Sequence, residues 1–366
     1  MRARVLVLLA LSSPALAADH ELSAGPGAGV VALGDLDGDG RLDIVVANRA
    51  TDRALVFLNQ GRAFAAPVAV AAGNDPNDLA LADVDGDGRL DLAIANHDAA
   101  YVTVLLGVGR GGFRPAPGSP VRVDSRPHPH GIAAGDWDGD GRLDLAVDSF
   151  GVDSVELIMN AGGGRWRSGS LVKVGRHPYQ RLRSADLDGS GRRDLFVANF
   201  RGASVSVLLQ SDHGLVPATG GPFATMPSPF AVAAGDVDGD HKLDIVCGHY
   251  SGQPSDAGRD AVTWLRGDGR GGFAAGKKVE PFAGAAPTHI AAGDLDGDGI
   301  DDVATANNLG GDVTLLRGGK EGPRMWKRLP VGDSPGGLAL GDIDGDGKKD
   351  VVASSESGLV SVWLSR

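Results

Sequence analysis

Apolar residues in this chain come in short runs, each closed within a few positions by Gly, Asp, Asn or Pro. Some runs are continuous, as in "GIAAG" (Gly131 to Gly135) and "LAIAN" (Leu92 to Asn96), and read as short apolar strands. Others alternate, as in "YVTVLLG" (Tyr101 to Gly107) and "SVSVLLQ" (Ser204 to Gln210), with the period of two that marks a strand. A weaker fourth run follows, such as "SLVKV" (Ser170 to Val174). Nothing between the runs has helical periodicity long enough for a crossover helix. The pattern predicts an all-β chain of many short strands joined by turns, and 57 glycines in 366 residues agree with it.

The runs are organised by a repeat. Seven copies of one acidic stretch occur: "DLDGDGRLD" at Asp35, "DVDGDGRLD" at Asp83, "DWDGDGRLD" at Asp136, "DLDGSGRRD" at Asp186, "DVDGDHKLD" at Asp236, "DLDGDGIDD" at Asp294 and "DIDGDGKKD" at Asp342. Their first aspartates are 48, 53, 50, 50, 58 and 48 residues apart. Each copy sits between two apolar strands, with the alternating strand and the weaker one after them. Four strands per unit of about 50 residues is the arithmetic of a propeller blade, so seven blades are expected. The seventh unit has only three strands of its own after its motif is counted in, whereas residues Ala18 to Ala24 precede the first unit without a partner. That N-terminal piece is expected to supply the outer strand of the last blade and close the ring, an open solenoid being the alternative.

Numbered from its first Asp, the motif carries carboxylates at positions 1, 3, 5 and 9. A hard cation such as calcium takes six to eight oxygens, and side chains at 1, 3 and 5 of a tight loop converge to supply them. The candidate ligands are Asp35, Asp37, Asp39 and Asp43 in the first copy, then Asp83, Asp85, Asp87 and Asp91, then Asp136, Asp138, Asp140 and Asp144. The fourth copy offers Asp186, Asp188, Ser190 and Asp194, and the fifth Asp236, Asp238, Asp240 and Asp244. Asp294, Asp296, Asp298 and Asp302 follow, and last Asp342, Asp344, Asp346 and Asp350. Glycine at positions 4 and 6 permits the positive φ that such a loop needs. Ser190 removes one charged ligand, predicting weaker affinity there, and His241 stands where the fifth copy needs a glycine, predicting strain. The loop is not an EF-hand, which requires Glu at position 12 and flanking helices; position 12 holds Val46, Ile94, Val147, Val197, Cys247, Thr305 or Ala353.

This repeat resembles the FG-GAP or VCBS repeat, the calcium-binding blade of integrin-alpha-type propellers and of many exported bacterial proteins. The resemblance implies up to seven structural calcium ions, in loops buried between the strands of a blade. Charge is consistent with it, since 27 of the 47 acidic residues occupy positions 1, 3, 5 and 9 of the seven copies and the chain carries a formal −12. Without cations each loop is a self-repelling cluster.

The N-terminus changes the picture of where the protein works. Arg2 and Arg4, the apolar run Val5 to Leu11 and Ala15-Leu16-Ala17 have the form of a cleaved signal peptide over residues 1–17, leaving 18–366 as one propeller domain. A secreted or periplasmic location is expected, with no membrane span, since the run is too short for one. Cys247 is the only cysteine, so no intramolecular disulfide can form; it lies in an apolar run and reads as a small buried side chain. Net negative charge argues against nucleic acid as a partner.

The remaining question is what the propeller binds. Three positions before the first Asp the residue is Ala32, Ala80, Ala133, Ala233, Ala291 or Ala339, but Arg183 in the fourth blade. Arg181 lies two residues earlier, on the same side of its strand. Equivalent or adjacent positions hold Asn77, Asp78, His130, Gln180, Phe230 and His289, which makes Arg181, Arg183, His130, Phe230 and His289 candidates for a ligand site at one mouth of the channel. The arginines either pair with Asp78 or a neighbouring carboxylate, or receive an anionic or sugar-acid ligand. "RPHPHG" (Arg126 to Gly131) is read as a loop stiffened by Pro127 and Pro129, because two histidines alone are a weak metal signal. The insertion Gly248 to Ala261, with Tyr250, is a candidate contact loop or a flexible tip. Catalytic signatures are missing: no G-x-S-x-G, H-E-x-x-H, P-loop or dinucleotide fingerprint occurs. A non-catalytic binding or adhesion module for carbohydrate or protein ligands is therefore expected. A polysaccharide lyase or hydrolase using the axial mouth is the alternative that similar propellers suggest, and a structural surface component with no ligand is a third.

Overall fold

The computed structural model describes residues 17–124, 128–149, 151–250, 260–279 and 285–366. Except for Ala17, the expected signal peptide lies outside the described residues, as do Arg126, Pro127 and most of the insertion after Tyr250. The described residues form no helix, and their strands make seven antiparallel sheets. The first sheet runs Ala28–Gly34, Asp43–Asn48, Arg53–Phe57, Val68–Ala71. The second runs Pro76–Ala82, Asp91–Asn96, Tyr101–Gly109, with Gly112–Pro115 and Val121–Arg122 both pairing with its third strand. Ile132–Gly135, Asp144–Ser149, Ser154–Asn160 and Trp166–Lys173 make the third. The fourth is Pro178–Ala185, Asp194–Asn199 and Ser204–Ser211, edged by Gly214–Pro217 and Phe223–Ala224. Pro229–Gly235, Asp244–His249, Ala261–Leu265 and Lys277–Lys278 make the fifth, and Pro287–Gly293, Asp302–Asn307, Asp312–Arg317 and Arg324–Pro330 the sixth. The seventh takes Pro335–Gly341, Asp350–Ser355 and Leu359–Trp363 from one end of the chain and His20–Ser23 from the other.

The arrangement is a seven-bladed β-propeller. The first strands of successive blades contact one another in turn, and that of the seventh contacts that of the first. His20–Ser23 pairs with Leu359–Trp363 in register His20 to Val362, and Asn59 Nδ2 of the first blade donates to Ile343 O of the seventh at 2.8 Å. Five of the first strands begin with Pro, a residue without an N–H that a sheet accepts at a strand start.

Apolar residues pack between blades rather than inside any one of them. Val45 and Val56 of the first blade meet Leu92 and Ile94 of the second, and Val352 and Val360 of the seventh meet Ile44 and Val46 of the first. Second strands are therefore covered on both faces, which explains their continuous apolar runs: every residue of Asp43–Asn48, Asp91–Asn96 and Asp302–Asn307 is buried. Cys247, on the equally buried second strand Asp244–His249 of the fifth blade, has its thiol pKa pushed well up by burial, so it behaves as the small hydrophobe its neighbours indicated.

Candidate functional site

Each acidic motif forms the hairpin between a blade's first and second strands. Positions 4 and 6 have positive φ in all seven copies, from 73° at Gly189 to 92° at Gly347 among the glycines and 63° at His241. The strain expected at His241 is thus present in its backbone. That conformation turns backbone N–H groups inward. Asp35 at position 1 accepts from Gly38 N at 2.7 Å and Gly40 N at 2.9 Å, and Asp136 accepts from Gly139 and Gly141 at the same two distances. Position 9 is the anchor: Asp43 accepts from Leu36 N at 2.8 Å and Asn59 N at 2.7 Å, tying the loop to the third strand's end. Burial pushes Asp43, Asp144, Asp194, Asp244 and Asp302 up to about 6, and Asp91 and Asp350 upward as well.

The loops differ from expectation in one respect. Position 9 is fully buried, but positions 4 to 7 are mostly exposed, because the hairpin caps the blade's edge instead of lying between its strands. Arginine or lysine at position 7 leans over position 5 in several copies, as in the Arg41–Asp39 and Arg142–Asp140 pairs and Arg89 Nη1 at 2.6 Å from Asp87. One carboxylate oxygen each from Asp35, Asp37 and Asp39 lies within 4.8 Å of the others, as for Asp83, Asp85 and Asp91, for Asp136, Asp138 and Asp144, and for Asp186, Asp188 and Asp194. Asp37 Oδ1 is buried without a hydrogen-bond partner. An all-oxygen donor set with an unsatisfied buried carboxylate oxygen fits a hard dication. In the fourth copy the bond from Arg192 N to Ser190 Oγ is 3.4 Å, against 2.9 Å from Arg41 N to Asp39 in the first.

At the opposite ends of the same strands is a mouth of about 560 Å³ lined by Arg49, Asp75, Asn77, Arg181, Phe230, Thr288, His289 and Glu356, among others. Arg181 is 4 % exposed; its Nη1 donates to Asn77 O at 3.2 Å and its Nη2 contacts His289 Nε2. Burial, then the charges of Arg181 and Arg183, hold His289 well below the usual imidazole range, and burial pulls Arg181 itself down to about 10. The carboxylate of Asp78, fully buried, lies 3.6 Å from Arg181 Nη1 and accepts from Arg183 Nη1 at 2.9 Å and Ile132 N at 3.2 Å. Both arginines thus face the Asp78 carboxylate, the pairing that one of the two readings described. They do not form one basic spot either: Arg183, two residues further from the mouth, lines a separate cavity of about 400 Å³ with Leu81, Ala134 and Arg193.

His130 sits beside the mouth, 2 % exposed, with Nδ1 3.5 Å from Asp148 Oδ2. It begins an arc of rings. Its centroid is 4.7 Å from His97 and 4.4 Å from Tyr179; Tyr179 is 5.7 Å from Phe200 and 5.6 Å from Phe230; Phe230 is 5.3 Å from Tyr250. These rings come from blades two to five, while Arg49, Asp75 and Glu356 give the other side of the mouth its charge. Arg49 Nε is 2.5 Å from Asp75, whose carboxylate it holds low.

Apart from Tyr250, sequence reasoning missed the residues that one repeat position brings to this site. Position 15 of the repeat is Arg49, His97, Phe150, Phe200, Tyr250, Asn308 or Glu356. All but Phe150, which lies outside the described residues, have their N–H bonded to the carbonyl of a left-handed turn residue opening the same blade, as in His97 N to Asp75 O at 2.9 Å. A fixed backbone thus presents a different side chain in each blade. The signal was available: in a repeat of near-constant residues, this position never holds a small apolar one.

Matches to the FG-GAP-like repeat model run over residues 35–94, 83–147, 186–247, 250–305 and 294–353. The chain belongs to the FG-GAP-like repeat family. Each match begins at or before one acidic loop and ends at position 12, so the family's unit is staggered with respect to the blade. No curated protein matches the chain in sequence. Among solved structures, BBS1N in complex with ARL6DN is similar at TM-score 0.63 and 13 % identity over 94 % of each chain. Virginiamycin B lyase from Staphylococcus aureus is similar at 0.60 and 14 %, over 94 % of this chain and 98 % of that one. A functionally unknown protein from Desulfotomaculum acetoxidans DSM 771 gives 0.62 and 13 %, over 86 % and 89 %. At these identities the likeness is one of fold.

Proposed function

We propose that this FG-GAP-like propeller is an exported, calcium-stabilised binding module that engages a carbohydrate or protein ligand at its axial mouth, without catalysis. The observation that carries the reading is the half-buried arc Tyr179, Phe200, Phe230 and Tyr250 beside a polar cavity: rigid aromatic faces next to a few fixed polar groups are what recognition surfaces are made of. In BBS1N, a similar propeller, the partner is a protein. Positions 1, 3, 5 and 9 of each loop would hold calcium, Asp43 and its counterparts being already positioned by backbone donors. The ion would supply the positive charge that the carboxylates lack. Loops and mouth lie at opposite ends of the first strands, which supports a structural role for the metal.

A saccharide array and a cross-linking capture from the extracellular milieu, each run with Phe230→Ala and Tyr179→Ala, test the reading. Reversible binding that both variants lose, with the ligand unchanged, is expected. A second reading, a polysaccharide lyase or hydrolase, is favoured by the buried His130 and Asp148 beside Tyr179 and by the likeness to virginiamycin B lyase. Turnover of an acidic polysaccharide that His130→Ala abolishes would establish it and displace the first.

A further inference from the structure

Where the second and third blades meet on the mouth face, three histidines gather. The ring centroids of His97 and His128 are 4.9 Å apart, those of His97 and His130 4.7 Å, and those of His128 and His130 6.3 Å. Two carboxylates face the same group: Asp75 Oδ2 and Asp98 Oδ1 each lie 3.1 Å from His97 Nδ1. One ring nitrogen of His97, one of His128 and a carboxylate oxygen of Asp98 fall within 4.8 Å of one another. We propose that His97, Asp98 and His128 bind one borderline dication of the zinc class, at a site separate from the acidic loops.

The donor set distinguishes this site from those loops. Two imidazoles and one carboxylate suit zinc, nickel or copper, whereas calcium prefers oxygen alone. Ligands at about 2.0–2.2 Å from a tetrahedral ion stand about 3.4 Å apart, so the three donors close on a metal by modest side-chain rotation, leaving a fourth position open to water or ligand. Support around the donors is in place. The backbone bond from His97 N to Asp75 O, at 2.9 Å, fixes the first histidine, and Asp75 is held in turn by Arg49 at 2.5 Å. His97 and His128 are partly or fully exposed, so an ion can reach them.

The test uses the chain from Ala18 on, saturated with calcium, stripped of transition metal and titrated with zinc by calorimetry, with cobalt absorption as a reporter of coordination. One equivalent of zinc binding at micromolar or tighter is expected, weakened about 100-fold or more by His97→Ala and by His128→Ala. Cobalt should give an intense tetrahedral spectrum that both variants lose, and calcium-dependent melting should stay at the wild-type value in both, which guards against misfolding. Zinc binding no tighter than millimolar, or unchanged in the double variant H97A/H128A with wild-type melting, would overturn the proposal.

Discussion

Asp78→Asn keeps the shape of the side chain and removes the one charge on which the channel's two arginines converge. Arg181 is 4 % exposed and would lose its nearest counter-ion, keeping only the weaker field of Asp148. Removing one partner of a buried pair costs about 3–5 kcal/mol, because the other charge stays buried without compensation. Arg183, whose side chain is 34 % exposed, is screened by solvent and adds at most about 1 kcal/mol. With an unfolding entropy of about 2.1 cal/mol/K per residue, a propeller of this length has roughly 0.7 kcal/mol/K, so about 4 kcal/mol lowers Tm by about 5–6 °C. Differential scanning calorimetry at pH 7.5 in saturating calcium measures it. Arg183→Ala, run alongside, should cost about 1 °C to 2 °C, since it leaves the buried Asp78–Arg181 pair intact. A Tm for Asp78→Asn within about 1 °C of wild type would refute the reasoning and mean that the arginines do not depend on this carboxylate.

Three further outcomes follow from the same geometry. In EDTA the protein should melt higher at pH 5 than at pH 7.5: carboxylates such as Asp43, Asp144 and Asp302, raised to about 6 by burial from about 3.9 unfolded, contribute stability present below pH 4 that is lost as pH rises through 6. Asp75, held low by Arg49, works in the opposite sense, but the raised aspartates outnumber it, and a higher apo Tm at pH 7.5 would count against this sign. His241→Gly should stabilise the fold by about 1 kcal/mol by removing a side chain from a φ of 63°, read as a rise of 1–2 °C in calorimetry; a fall would show that His241 makes a contact worth more than its strain. Deleting residues 18–24 should lower Tm by several degrees and promote association, seen in light scattering, since it bares the Leu359–Trp363 edge.

The fold was legible because the repeat carries its own geometry. Each copy states where a hairpin falls, through glycines that the backbone does place at positive φ, and the spacing between copies leaves room for four strands and no helix. The three-stranded seventh unit pointed to the N-terminal residues as its missing strand, and His20–Ser23 occupies that edge. The site was legible only in part. His130, Arg181, Phe230 and His289 stand out as departures within aligned strands, but what each one touches comes from another blade. Arg183 and Asp78 are 105 residues apart, and nothing local to either reveals that Asp78 lies between the two arginines rather than beside one of them. His97 and Tyr179 escaped notice for the same reason, since their ring partners are fixed by how blades pack around an axis. The exposed setting of positions 4 to 7 escaped as well, because alternating Asp and Gly reads the same in a buried loop and in a cap.

The most direct measurement is thermal unfolding of the chain from Ala18 on, in excess EDTA and then in 5 mM calcium, with bound metal counted by elemental analysis. Sites with Kd of about 10⁻⁴ to 10⁻³ M would each add about 1–2 kcal/mol at that concentration. Six or seven of them would raise Tm by about 10 °C or more. That rise, with six or seven calcium ions per chain, is the predicted result; equal melting temperatures and no bound calcium would contradict it.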